Sequence, residues 1–281
     1  MSPKVSVVCV CYQHARFVLD ALESVAAQTY KSVELIIVDD GSTDGSAAIL
    51  RAWVENHPTA KLIVNPQNLG YCKAFNLGWR LCSGNYVIDL AGDDILLPTR
   101  IEKGVAAFGT APRAGVQFTD ALYISENGAV LSRHSDRFAD ATIPQGFIFT
   151  DVLRRYFICS PTMMMSREVL EKLGGYDETL SYEDFDLWVR AARDFPFHYL
   201  PEVLVKKRIV SRSLSVQQFR GVAAHNQTTF CVCRKALALA ATSEEKSAVR
   251  YRLMYEAWQC IKRGQLSWLA RYGGLWLRAW A

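Results

Sequence analysis

Gly84-Asn85-Tyr86-Val87-Ile88-Asp89-Leu90-Ala91-Gly92-Asp93-Asp94-Ile95-Leu96-Leu97-Pro98 reads as a buried strand that ends on two adjacent carboxylates. Residues 86–90 form a short, largely apolar run of strand formers, entered through the turn cluster Ser83-Gly84-Asn85. After the acids come three apolar residues and Pro98, a residue that can open a helix. Carboxylate oxygens are hard ligands, and magnesium or manganese is commonly held by one or two of them together with a substrate's phosphates. The small Ala91 and Gly92 are expected to leave room for a bulky ligand against the backbone. An isolated Asp-Asp is more often a solvated acidic turn, so the rest of the chain has to decide.

Upstream, residues 5–11 (VSVVCVC) are near-continuously apolar with β-branched side chains, the mark of a strand buried on both faces. Phe17, Val18, Ala21, Leu22, Val25 and Ala26 then step by three and four, so a helix with one inward stripe follows. The pattern repeats as strand 33–38 and a helix through Ala47, Leu50 and Trp53, then as strand 62–64 and helix 71–82. Strand alternating with helix predicts an α/β fold with a Rossmann-like, mainly parallel sheet flanked by helices. Ligands of such sheets lie beyond the carboxyl ends of the strands. Asp39-Asp40 and Asp93-Asp94 end their strands, so both pairs are expected on one rim. The first loop, CYQHARF, has no glycine, which excludes the G-x-G-x-x-G dinucleotide turn and the P-loop.

Downstream, the pattern predicts a helix over 98–108 and a hairpin of 116–124 with 129–132 through Asn127-Gly128. A helix over 147–157, a strand over 163–165 and a helix over 167–173 closed by Gly174-Gly175 follow. A loop then delivers Glu183 and Asp184 to the first turn of a helix whose apolar face is Leu187, Trp188 and Ala191. Acids there complement the helix dipole, but three within four residues exceed what capping requires. Val203-Leu204-Val205 leads as a strand into Lys206-Lys207-Arg208, and helices are expected over 216–240, 244–263 and 265–279. Trp268, Trp276 and Trp280 with Arg271 and Arg278 fit either a helix lying on an anionic membrane surface or one docked on its own domain or a twin subunit.

Half of the 281 residues are hydrophobic and 21% are charged, so the chain is globular and long enough for a sizeable core. No apolar run is long enough to span a membrane, and the start of the chain lacks signal-peptide features, so a cytoplasmic protein is expected, with the inner face of the membrane as a peripheral location. The eight cysteines read as reduced, mostly buried thiols. Residues 201–281 carry 14 Lys and Arg against 4 Asp and Glu, a balance of +10, whereas residues 1–200 balance at −6. Anionic partners are therefore expected at the back half.

Taken together, residues 5–46, 65–94 and 182–192 resemble the family 2 glycosyltransferases of GT-A fold, in the order and spacing of that family. The resemblance covers residues 4 to about 210. It implies transfer of a sugar from a nucleoside-diphosphate donor, uridine diphosphate being the commonest carrier, to an acceptor hydroxyl with inversion. A glycan or lipid-linked acceptor in polysaccharide or glycolipid synthesis is expected, and no nucleic acid. It implies a GT-A domain over 1–210, with a nucleotide-binding half over 1–97 and an acceptor and catalytic half over 98–210, and a helical C-terminal extension over 211–281.

Residue by residue, the resemblance gives Asp40 to the donor's base, with Asp39 supporting the loop, and adds Val10, Tyr12, Asn68, Gly70 and Lys73 to the nucleotide pocket. Asp93 and Asp94 match the acids that hold Mn2+ or Mg2+ and the ribose-diphosphate. Asp184 matches the general base with Glu183 beside it, and Arg208 stands where a basic residue approaches the diphosphate. Two positions depart from the pattern. Ala91 replaces the first acid of D-x-D, and Val210 stands where Arg-x-His would place a histidine, a role left vacant or filled by Lys206 or Lys207. A non-catalytic sugar-nucleotide or glycan-binding module and a nucleotidyltransferase are the alternatives.

Overall fold

The structure is a computed structural model that describes residues 2–138, 142–210 and 223–280, without the side chains of residues 223 and 224. Its first half alternates as the sequence predicts: β1 (Val5–Cys11), α1 (Val18–Ala26), β2 (Val33–Asp39), α2 (Ser46–Glu55), β3 (Lys61–Val64), α3 (Tyr71–Trp79) and β4 (Tyr86–Ala91). Every residue of β1 is buried, because helices cover both of its faces. Val5, Val7, Cys9 and Cys11 face one apolar cluster with Leu22 of α1 and Leu50 of α2; Val8 and Val10 face the other, with Phe75 of α3. This is the period-2 alternation of a strand between two layers.

The second half adds β5 (Ile95–Leu96), α4 (Arg100–Thr110), β6 (Val116–Ile124), β7 (Val130–Arg133), α5 (Phe149–Arg154), β8 (Met164–Ser166), α6 (Arg167–Leu173), α7 (Asp184–Asp194) and β9 (Phe197–Arg208). The strands form one sheet in the order β3-β2-β1-β4-β8-β6-β9-β5, with β7 paired to β6. The β3-β2-β1-β4 portion is parallel; β8 joins it antiparallel to β4 and to β6, while β9 runs parallel to β6. The sheet is thus parallel where the nucleotide half was expected and mixed beyond β4.

Three elements differ from the sequence expectation. The helix expected over 147–157 is only Phe149–Arg154, and Arg155 turns to extended backbone. The strand expected from Val203 begins at Phe197, running through Pro201; Leu200 pairs with Thr119 and Val203 with Asp120, so Pro201 lies in a bulge where no ladder donor is required. Ile95-Leu96 is a short strand on β9, which ties the acidic turn after β4 to the far edge of the sheet.

The C-terminal helices are α8 (Ala223–Leu239), α9 (Ser243–Lys262) and α10 (Leu266–Arg278); residues 216–222 of the expected first helix lie outside the described residues. Val232, Ala236, Val249, Leu253 and Tyr272 bury into the same cluster as Phe149 of α5 and Phe185 and Val189 of α7. Lys235 of α8 bonds both Asp177 and Asp186 at 2.6 Å. Residues after 222 therefore complete the core that holds α7 in place. All eight cysteines are free thiols, and Cys231-Val232-Cys233 lies inside α8. Among the described residues, no helix is long and apolar enough to cross a membrane.

Candidate active site

Register places the strand ends that matter side by side. Asp39 at the end of β2 is opposite Cys11 of β1, and Val10 is opposite Ala91 at the end of β4. With strands about 4.8 Å apart, the Asp39-Asp40 and Asp93-Asp94 turns flank β1 at roughly 10 Å, the reach of a nucleoside between its base and its phosphates.

The VDDGSTD motif locks the first loop. Asp44 Oδ2 accepts from Ala15 N–H (2.9 Å), Ser42 Oγ from Gln13 N–H (3.0 Å) and Ser46 Oγ from His14 N–H (3.1 Å). Gln13 is held at φ 60°, a left-handed conformation uncommon outside glycine. Gly41, at φ 72°, passes so close to the β3–α3 loop that a Cβ would stand 2.4 Å from the Gln67 carbonyl carbon. The result directs His14 across the mouth of β1, its Nε2 3.8 Å from Asp93 Oδ2. A Cβ on Gly92 would meet His14 Nδ1 at 3.0 Å, so the room expected beside Gly92 for a ligand is filled by this imidazole.

Asp40 and Asp39 differ from their expected division of labour. Asp40 is buried, and its oxygens accept from Asn65 Nδ2, Leu69 N–H and Gly70 N–H, all at 2.9 Å. It shapes the loop that starts α3. Asp39 accepts one bond, from Ser42 N–H (3.1 Å), and its buried Oδ1 has no partner among the described residues. The unspent oxygen is therefore on Asp39. Tyr12, Asn68 and Lys73 are exposed at this rim. Val10 is not: its side chain is in the core and its carbonyl accepts from Gly92 N–H (2.8 Å), so nothing of it faces a ligand.

Asp94 Oδ1 accepts from Arg208 N–H at 2.9 Å, and burial, then the charge of Asp93, push its carboxyl up to about 8. No described residue hydrogen-bonds the Asp93 carboxylate. The Arg208 guanidinium, expected near a diphosphate, is spent on protein: it donates to the carbonyls of Asp93 (3.1 Å) and Glu126 (3.0 Å) and to Asp20 Oδ2 (2.8 Å), over the Phe17 ring. It braces the acidic turn from behind. Lys207, one residue earlier on β9, projects to the other side. Burial opposes its charge, but neighbouring groups, including Asp94 and Asp184, outweigh that and raise its pKa.

Asp184 opens α7, accepting from its neighbour Phe185 N–H at 2.7 Å. Burial raises its pKa, with Lys207 pulling the other way. Glu183, just before the helix, is raised further by burial, Asp184 and Asp89. Asp89 of β4 accepts hydroxyl bonds from Tyr71 (2.8 Å) and Tyr176 (2.7 Å), and burial brings it up to about 6. The charge of Lys207 is thus coupled to Asp94 and to Asp184, so the acid pair and the first turn of α7 influence one another electrostatically. Sequence reading missed His14, Asp89, Tyr71 and Tyr176. The signal for Asp89 was available: a carboxylate inside an apolar strand requires buried donors.

The family model for glycosyl transferase family 2 matches residues 6–174, and the chain belongs to that family. An uncharacterized glycosyltransferase of Methanocaldococcus jannaschii is 29% identical over 217 residues, covering 75% of this chain and 72% of the relative. The protein EpsE of Bacillus subtilis is 31% identical over 222 residues, 77% of each chain. Among solved structures, the mannosyltransferase PcManGT from Pyrobaculum calidifontis, in complex with GDP-Man and Mn2+, superposes with a TM-score of 0.68 at 19% identity, over 98% of this chain and 74% of that one. S. aureus TarS bound to UDP-GlcNAc superposes at 0.69 and 18% identity, over 89% of this chain and 71% of that one. The fold is the GT-A glycosyltransferase fold with a helical C-terminal part.

Proposed function

We propose that this glycosyltransferase moves a sugar from a nucleoside-diphosphate donor, a uridine diphosphate sugar first among those to test, to a hydroxyl of a glycan or lipid-linked acceptor, with inversion. The observation that carries the reading is the electrostatic coupling of buried Lys207 to both Asp94 and Asp184. The base of the donor lies against the β2 turn, where Asp39 Oδ1 is the unspent acceptor and Asp40 holds the loop. Tyr12, Asn68, Gly70 and Lys73 lie on or beside the loops bonded to this turn. The complexes of PcManGT with GDP-Man and Mn2+ and of TarS with UDP-GlcNAc support this class of donor.

A divalent cation, Mn2+ or Mg2+, fits the acid pair: Asp93 has no hydrogen-bonding partner among the described residues, and the pair offers hard oxygens. Among the described residues no three His, Cys, Asp or Glu side chains form a metal cage, so phosphate and water oxygens would complete the shell. When bound, the ion neutralises charge on the leaving diphosphate. Lys207 adds a positive charge to the same oxygens, the role left open by Val210.

Asp184 takes the proton of the acceptor hydroxyl as its oxygen bonds to the anomeric carbon, and the bond from that carbon to the diphosphate breaks on the opposite face. One base suffices for inversion, and such a carboxylate contributes about 10²–10⁴-fold. Burial raises the pKa of Asp184, which makes it a stronger proton acceptor than a solvated carboxylate. Burial and the charges of Asp184 and Asp89 oppose ionisation of Glu183 beside it. A thermal-shift screen of nucleoside diphosphates and their sugars, with and without manganese, tests the donor class; saturation at about 100 times Kd stabilises by about 2.7 kcal/mol. Stabilisation by none of them would contradict it.

A further inference from the structure

The outward face of α9 is apolar where a surface helix ordinarily carries charge. Tyr251, Met254, Tyr255, Trp258 and Ile261 recur at helical spacing, each 48–55% exposed. The inward face of the same helix holds a buried ion pair instead, Arg252 Nε to Glu256 Oε1 at 2.9 Å, with the guanidinium 4.2 Å from the Tyr156 ring centroid and 4.4 Å from that of Phe185. Val249, Leu253 and Cys260 are buried beside that pair, so the helix is apolar on both faces. Trp280, 63% exposed, has its ring 4.1 Å from the guanidinium of Arg250, the residue before Tyr251, and Leu266, also exposed, follows the end of α9 in the chain. By contrast Trp268, which the sequence placed with the membrane-facing aromatics, packs toward Phe230 and Tyr272 of the core.

The rim of this patch is basic. Lys262 Nζ is 5.4 Å from the Trp258 ring, Arg263 follows it, and Arg154 and Arg155 line a cavity of about 590 Å³ beside Tyr251. Asp151 shares that cavity. Of the acids on α9, Glu256 points inward, while Glu244 and Glu245 are at the far N-terminal turn, where Glu245 bonds Arg193. No Asp or Glu occurs after Glu256. Tryptophan and tyrosine with lysine and arginine around them are the composition of protein at a bilayer interface, where rings sit at headgroup depth and the cations meet anionic lipid. A second copy would bring the same cationic rim against this one.

We infer that this face of α9, with Trp280 and Leu266, is a docking surface for an anionic lipid bilayer, on which the protein lies without crossing it. The inference does not depend on the proposed reaction. The test is co-sedimentation of the full chain with vesicles of phosphatidylcholine alone and of phosphatidylcholine mixed with phosphatidylglycerol. The wild type should bind the mixed vesicles and be released by high salt, which shortens screening to about 3 Å at 1 M. The variant Tyr255→Ser with Trp258→Ser, and separately Lys262→Glu with Arg263→Glu, should each weaken binding by about tenfold or more. All four side chains are exposed, so circular dichroism and melting should match the wild type. Absence of vesicle binding, equal binding to neutral vesicles, or folded variants that bind as well as wild type would overturn the inference. So would a dimer in sedimentation equilibrium that Trp258→Ser splits, which would assign the face to a second copy.

Discussion

The Tyr176 hydroxyl donates to Asp89 Oδ2 at 2.7 Å, joining the loop before α7 to the strand that carries the acid pair. Tyr71 donates to the other oxygen of the same carboxylate at 2.8 Å. The separation of the acid pair from the start of α7 is thus set by a buried triad as well as by the sheet. Tyr176→Phe leaves half of this carboxylate without its donor and should cost about 1–3 kcal/mol. Urea denaturation should show the loss, with a lower kcat because α7 is no longer anchored to β4; a variant as stable as wild type would contradict this role.

Lys207 and Arg208 are neighbours with opposite tasks. Lys207→Met removes a charge that the folded state favours, so it should cost some stability, though less than Arg208→Met, and should weaken nucleoside-diphosphate binding about tenfold, the scale of one charge-assisted hydrogen bond. Arg208→Met removes a guanidinium that satisfies Asp20 and several carbonyls, and should destabilise the fold by roughly 3 kcal/mol. Paired titration calorimetry and thermal melting separate the two effects. Exchanged phenotypes would contradict the assignment.

The β2 acids make a similar pair. Asp40→Asn replaces one of the two accepting oxygens by an NH2 donor, so Leu69 or Gly70 N–H faces a donor instead of an acceptor, and should lower the melting temperature. Asp39→Asn should keep the fold and reduce nucleotide affinity. Equilibrium binding of a nucleoside diphosphate to both folded variants checks this.

His225 of α8 stacks on Tyr182, two residues before Asp184, with ring centroids 5.0 Å apart. Burial, then the nearby Arg263 and Arg252, lower its pKa from 6.5 to about 4. The folded state therefore binds fewer protons here than the unfolded chain, and this contribution to stability is full above pH 6.5 and is lost as pH falls toward 4. His225→Gln should flatten the pH dependence of melting across that window. An unchanged slope would contradict the linkage.

The sequence made the parallel half legible because VSVVCVC and VELIIV can only be strands buried on both faces. It did not reveal the mixed half, whose strands are short or bulged and are specified by partners distant in the chain, such as Lys206 opposite Ile95. The acids were found by type and position. What each one spends its oxygens on was not, since Asp39 and Asp40 are indistinguishable as letters and differ only in which loop folds back onto them. Arg208 was misread for the same reason: a guanidinium on a strand end is equally able to face a ligand or to brace a turn, and Asp20 and the hairpin carbonyls decide it.

The most direct test of the account is release of nucleoside diphosphate from a panel of sugar nucleotides with manganese and acceptor, measured for wild type and Asp184→Asn alongside donor binding. The account predicts that the variant binds donor within about twofold of wild type, a difference worth under 1 kcal/mol, and has lost transfer by at least about 10²-fold. Turnover retained in Asp184→Asn would contradict it.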